Sequence, residues 1–315
     1  MISCISLLSC IKINAQLKGI HTLSDAGLQS GSQASPSFTL AIPVYTYHTS
    51  TLVSGKGNKI DAPAINLVLT GISTTVVTSV KILGGNYGAS VFIPFAASRI
   101  EGELVSSKSS LAFTDMYIQP VQLGWKVKQA DFICSYALYL PTGKYEWNGS
   151  NNTGLGMFTN EFSTGSTAYF DEKKQWHFSA LLSYALNSKK KNTKDNSIKV
   201  GNLLSVEGGI GKTWYKPVKN NPLPMIINIG LVYYIQFKTS DDKMKIPALG
   251  NTAIDLGRKD KIFGLGAEAN IFIPAIKSSA GIRWETEMGA RNRTQGNSFF
   301  ITIAPYIRFF APKKK

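Results

Sequence analysis

The sequence predicts an all-β fold, a transmembrane antiparallel up-and-down β-barrel of about 12 strands (range 10–14). Three observations lead there. Long segments alternate strictly between apolar and polar residues. Their connections alternate between short turns and longer polar loops. Mean hydropathy is -0.01 and hydrophobic residues make up 43% of the 315, yet no apolar run reaches the ~18 residues that a membrane-crossing helix needs.

The elements follow in chain order. Residues 1–15 end an apolar run at Asn14-Ala15-Gln16 and read as a signal peptide that lacks the usual positive start, so it is truncated or begins further upstream. A first strand or an irregular start is the other reading, and Leu7-Leu8-Ser9-Cys10 faintly resembles a lipoprotein cleavage box. Residues 16–37 form an N-terminal segment, either periplasmic or folded into the lumen as a plug. The barrel occupies 38–310, and 311–315 is a basic tail.

Within the barrel the expected strands are 38–48, 62–83 (kinked near Gly71), 87–98, 116–128, 130–140, 158–170, 176–187, 202–214, 225–238, 262–273, 279–289 and 298–309. The clearest is 225–238. Ile227, Ile229, Leu231, Tyr233, Ile235 and Phe237 share one face, and Asn228, Gly230, Tyr234, Gln236 and Lys238 the other. An alternation of that length suits a membrane-spanning strand of ~9–11 residues more than the ~5–6 of a globular sandwich. The same rule sets Trp176, Phe178 and Leu182 against His177, Ser179 and Ser183, and Ile282 and Trp284 against Arg283, Glu285 and Glu287. It puts Phe299, Ile301, Ile303, Ile307 and Phe309 on one face of the last strand. Trp125, Trp176, Trp214, Phe237 and Phe309 fall near strand ends, where an interfacial girdle belongs.

The loops expected to be long are Thr49–Asp61, Arg99–Asp115, Pro141–Met157, Ser188–Gly201, Thr239–Lys261 and Ala290–Asn297. The other links are mostly short, and both termini lie on the short-turn side, as in bacterial barrels.

Charge and cysteine usage narrow the function. Lys and Arg number 34 against 19 Asp and Glu, a net +15. An anionic partner is one reading and a basic surface without a ligand the other; the charges are spread, which favours the second. The densest cluster, Lys189, Lys190, Lys191 and Lys194, reads as a solvated loop without the interleaved aromatics of a nucleic-acid platform. Cys134 alternates with Phe132 and Tyr136, and reads as a packed or lipid-facing side chain. His21, His48 and His177 have no metal-ligand spacing, so no metal or other cofactor is expected.

Gly208-Gly209-Ile210-Gly211-Lys212-Thr213 imitates a phosphate loop, but Val206 stands where its first glycine belongs and no helix follows. Glu285 and Glu287, with Arg283, share a strand face and could perform acid–base chemistry; in a barrel that face is the lumen, where polar residues meet water or one another. The chain is therefore not expected to be an enzyme and has no expected catalytic residue. The expected lumen-lining residues are Glu161, Glu207, Asn228, Tyr234, Gln236, Glu268, Arg283, Glu285 and Glu287.

Several stretches together resemble the MetA-pathway of phenol degradation family. They are Asp115–Trp125 (Asp-x-x-x-x-Pro-x-x-Leu-Gly-Trp), Pro141-Thr142-Gly143-Lys144-Tyr145, Tyr184 and Asn187 ahead of Asn192-Thr193, and Gly230–Asp242. The last is Glu287, Asn292, Arg293 and Gly296. Order and spacing carry the likeness, over roughly 19–310. After Tyr145, Glu146-Trp147-Asn148-Gly149 replaces the family's acidic stretch. The resemblance implies a barrel in the outer membrane of a Gram-negative bacterium, giving passive uptake or efflux of small, often hydrophobic or aromatic solutes. Tyr234, Trp214 and Tyr139 are then candidates for the aromatic part of the lumen. A structural or adhesive barrel without an open channel is the alternative. Expected partners are outer-membrane lipid and lipopolysaccharide, a small-molecule solute and the barrel-assembly machinery, with no nucleic acid.

Overall fold

A computed structural model describes residues 23, 25–103, 106–146, 149, 151–191, 193, 197–245, 253–255 (backbone only) and 259–310. The expected signal peptide, the start of the 16–37 segment and the basic tail lie outside them, as do Trp147, Asn148, Asn192 and Lys194. The described residues form strands and connections, without a helix.

The chain runs β1 (Ser37–Val53), β2 (Lys59–Ile82), β3 (Gly85–Glu101), β4 (Ser106–Phe113), β5 (Met116–Lys126), β6 (Ala130–Leu140), β7 (Thr159–Tyr169) and β8 (Trp176–Asn187). It continues with β9 (Ser197–Lys199), β10 (Leu203–Lys216), β11 (Met225–Lys238), β12 (Lys243–Lys245), β13 (Ala253–Asp255), β14 (Lys261–Ile273), β15 (Ser278–Arg291) and β16 (Arg293–Phe309). Thirteen of these make the main sheet. β4 and β5 pair with successive halves of β3, Phe95 with Phe113 and Phe92 with Tyr117, so together they are one interrupted wall strand. The wall therefore has twelve strands, all antiparallel. It closes where β1 meets β16, from Ser37 opposite Phe309 to Val53 opposite Arg293.

Closure follows from the solvent. In hydrocarbon an unpaired backbone group costs several kcal/mol, and only a sheet without edges pairs them all. The outer wall is apolar: Ile229, Leu231, Ile282, Trp284, Phe178 and Leu182 are all exposed. Cys134 and Phe132 lie on that exposed face too. The inward face of β7, β8, β10, β11, β14 and β15 carries polar and ionised residues, and these are buried.

Short turns lie at one end. The β2–β3 hairpin turns through Leu83 (φ 51) and Gly84 (φ 81), two left-handed residues in the geometry that matches strand twist. The other end departs from expectation. Thr49–Asp61 and Ala290–Asn297 are mostly continuations of barrel strands, joined at 54–58 and at Asn292 (φ 53). Arg99–Asp115 contains β4, and β9, β12 and β13 form a separate three-stranded sheet within two other loops. Those stretches are polar because they stand above the membrane, not because they lack strand pairing.

Two further expectations are corrected. Trp214 faces outward with Trp176, because Thr213 takes the inward position; Lys212 lies between the two rings, 4.9 and 5.4 Å from their centroids. Ile307 is buried while Tyr306 is exposed, because the register slips between β1 and β16 at Pro305 and shifts the alternation.

Ile229→Arg and Leu231→Arg are each expected to lower the fraction of heat-modifiable, liposome-inserted protein, at a cost of ~2–4 kcal/mol near the midplane. Ile229→Leu serves as the control and should insert like the parent.

Candidate functional site

The interior of the barrel gathers the residues that strand parity turns inward. Glu161 comes from β7, Glu207 from β10, Asn228, Tyr234 and Gln236 from β11, Glu268 from β14, and Arg283, Glu285 and Glu287 from β15. All nine are at most 7% exposed. Asp131, Tyr47, Tyr139 and Tyr169 join them. Glu207, Glu268 and Glu287 are each held by hydrogen-bond partners, and no group of three or more His, Cys, Asp or Glu suited to a metal occurs among the described residues.

Two networks divide the interior. In the first, Arg283 Nε donates to Glu268 Oε2 at 2.7 Å, Asn270 donates to the other oxygen, and the guanidinium lies 5.4 Å from the Phe300 ring centroid. The second lies nearer the long-loop end and centres on Glu287. Its carboxylate accepts from Tyr47 Oη (2.7 Å), Tyr234 Oη (3.1 Å) and the Gly296 amide (2.7 Å), with Arg293 at 3.7 Å. Arg293 also donates to Gln236 at 3.1 Å. Lys238 bridges Asp242 (2.8 Å) and Asp260 (3.1 Å). Removing one partner of such a buried pair leaves an uncompensated charge, which costs more than the pair itself contributes. Glu287, Arg293 and Gly296 of the final motif stretch thus meet around one carboxylate.

Residues 25–36 run inside the wall. The Ala26 amide donates to Glu207 Oε2 (3.0 Å) and the Leu28 amide to Glu268 Oε2 (3.2 Å). Ser30 bonds Ser179 of β8, and Ser32 bonds Asp131 of β6. Gln33 donates to the backbone of Asn86 in β3 and Gln122 in β5. Leu28 is 1% exposed.

This explains the glycine-rich stretch that imitates a phosphate loop. A Cβ at Gly209, Gly211 or Gly230 would lie 2.9, 3.1 or 2.6 Å from Leu28 Cδ2. A Cβ at Gly124, the glycine of Leu-Gly-Trp, would lie 2.5 Å from Gln33 Cβ. The wall glycines form a groove for the segment. Glycines at inward positions of neighbouring strands were the signal for it in the sequence.

At the long-loop end the first two motif stretches meet. Asp115, in the break between β4 and β5, accepts from the amides of Gly143 (2.9 Å) and Leu155 (2.7 Å). Lys190 donates to the Leu155 carbonyl (2.9 Å) and sits 4.6 Å from the Tyr145 ring centroid. Lys190 is thus buried and holds this cap together, in contrast to the solvated loop expected of it. Burial pulls its pKa down to about 8 against the opposing pull of Asp115 and Asp242, and burial pushes the Asp115 carboxyl up.

The family model for the MetA-pathway of phenol degradation matches residues 32–303. No curated protein matches the chain in sequence. Among solved structures, an outer membrane channel from Pseudomonas putida F1 is similar, at 12% identity and a TM-score of 0.68, over 89% of this chain and 97% of that one. The β domain of the Bordetella autotransporter BrkA is 10% identical with a TM-score of 0.49, over 87% of this chain and all of that one. The likeness to the first extends over nearly all of the barrel fold described above.

Two outcomes are expected. Leu28→Ala should cost ~2–5 kcal/mol of barrel stability by emptying the glycine groove. Gly211→Ala should cost less in the Leu28→Ala background than in the parent, as a double-mutant cycle of unfolding midpoints will show. The second concerns pH. Lys190 gives up its proton in the folded cap near 8 but in the unfolded chain only near ~10.4, so folding releases a proton in between and cap stability rises with pH across that window. Hydrogen-exchange protection at Leu155, corrected for intrinsic rates, should be higher at pH 9.5 than at pH 7.5. Lys190→Met should remove the difference.

Proposed function

We propose a function from one premise: the chain belongs to the MetA-pathway of phenol degradation family, a family of channel-like outer-membrane barrels. The protein lets small solutes cross the outer membrane passively, through the space that residues 25–36 now occupy. The observation that carries this reading is the two-part interior. The wall is polar and ionised, as a watered conduit is. What fills it, among the described residues, is a short stretch of chain, held by hydrogen bonds and by Leu28, that contributes no strand to the wall.

The inward tyrosines Tyr45, Tyr47, Tyr139, Tyr169 and Tyr234 add ring surface with a polar end. That combination suits solutes of mixed polarity, including phenolic or other aromatic ones, better than bare ions. Residues 25–36 act as a plug that narrows the path.

One observation favours a second reading, a structural barrel without an open channel. The interior is tightly filled, and the cavity beside Glu268, Arg283 and Phe300 measures only about 20 Å³, room for one water.

The experiment is conductance in planar bilayers and swelling of liposomes in small sugars, for the full chain and for a form lacking residues 25–35. The deleted form should insert, conduct steadily and admit pentose-sized solutes faster than the full chain. A deleted form that inserts yet neither conducts nor admits solute decides for the structural barrel.

A further inference from the structure

The small sheet above the barrel has two unlike faces. Its inner side carries Ile198, which is fully buried, with Met244 directly opposite it in the register. Val200, Met157 and Leu203 are likewise buried in this cap. Its outer side carries lysines. Lys189 is bridged to Lys199, and Lys199 is directly opposite Lys243. Residues opposed in an antiparallel ladder point to the same side with Cβ atoms ~4.5–5.5 Å apart. Three lysines therefore stand in one row. Lys245, two residues along from Lys243 and opposite Ser197, shares their face ~7 Å away. All four are exposed.

Like charges directly opposite one another destabilise a ladder, and ion pairs could relieve that cost. The ion pairs made among the described side chains lie elsewhere. Asp242 and Asp260 pair with Lys238, Asp260 and Glu287 lie beside Arg293, Glu268 pairs with Arg283, and Glu101 with Arg99. The register also sets Asp255 of β13 opposite Lys243, so this face assembles four lysines against one acidic residue and keeps a strong positive excess. β13 supplies the third strand through backbone pairing with β12, so the row is held on a sheet and not on a loose loop.

We propose that this face binds the phosphate groups of lipopolysaccharide in the leaflet around the barrel. Height is the first reason. Lys189 comes three residues after Leu186, a lipid-side residue at the end of β8, so it stands ~10 Å or less above the apolar belt. That is the layer of phosphorylated head groups. Chemistry is the second. Closely spaced ammonium groups fit closely spaced phosphates, and each lysine near an anionic surface adds binding. Solute attraction is a poorer account of the row: acidic residues outnumber basic ones inside the barrel, so an anion drawn to these lysines would be repelled further in. A nucleic acid would look for stacking aromatics among the cations, and this face has none.

The test measures binding of the full-length protein in detergent to lipid A bearing both phosphates, and to the same lipid with its phosphates removed. The variant combines Lys189→Gln, Lys199→Gln, Lys243→Gln and Lys245→Gln; Lys56→Gln in the β1–β2 loop with Lys59→Gln at the start of β2 is the control. The parent and the control should bind the phosphorylated lipid about a hundredfold or more tighter than the four-lysine variant does, and tighter than they bind the dephosphorylated lipid by a similar factor. Heat-modifiable migration verifies folding; if the fourfold variant does not fold, Lys199→Gln alone, at the centre of the row, should still lose about fivefold. Equal affinity of variant and parent overturns the proposal. So does equal affinity for the dephosphorylated lipid. Dextran sulfate binding the parent as tightly as lipid A also overturns it, since the face would then be a general polyanion surface.

Discussion

The structure depends on one constraint: inside a membrane every backbone N–H and C=O needs a partner from the chain itself. Closure of β1 on β16 is its direct expression. The constraint also shows where the wall departs from regularity. Proline has no amide to donate, and in a wall without edges it survives only at bulges or breaks. Pro94 stands where the partner of β3 changes from β5 to β4, and its carbonyl accepts from Thr114. Pro120 lies in the register shift between β5 and β6, where its carbonyl accepts from Tyr87. Pro305 marks the slip that turns Ile307 inward. The Thr114 amide supplies a donor at the first of these points, and the Tyr87 and Ser278 hydroxyls supply one at the other two.

The alternating parity that puts Ile229 and Leu231 outside puts Glu207, Glu268 and Glu287 inside. A barrel that must be apolar outside has no choice but to collect its polar residues within, and there they need partners. Those near the long-loop end find them in one another, through Glu287, Arg293 and Lys238. Those lower down offer their carboxylates to the amides of Ala26 and Leu28. The inner segment is thus held by the polarity that the outer solvent imposes on the wall.

Much of this was legible in the sequence, because period-two alternation reports directly which face each side chain takes. Strand positions, the lipid side of Ile282 and Trp284, and the inward set on β11 and β15 could all be read that way. What could not be read depends on contacts between distant parts of the chain. Gly209, Gly211 and Gly230 look like turn or phosphate-loop residues until Leu28 is seen against them. Lys190 looks like a surface charge until Leu155 and Tyr145 close over it. Polarity also misled at the rim: β4, β9 and the ends of β1, β2, β15 and β16 read as loop, since strands standing in water lack the apolar face that a membrane demands.

The segment inside the wall has a consequence for the order of assembly. Ser37 opens β1, and only four residues earlier Gln33 is bonded to β3 and β5 across the interior. A sheet still open at the β1–β16 seam lets strands β3 to β14 curve around residues 25–33, and zipping that seam then encloses them. The barrel is best pictured as a sheet rolled around a length of its own chain, with the earliest described residues enclosed by the last joint to form.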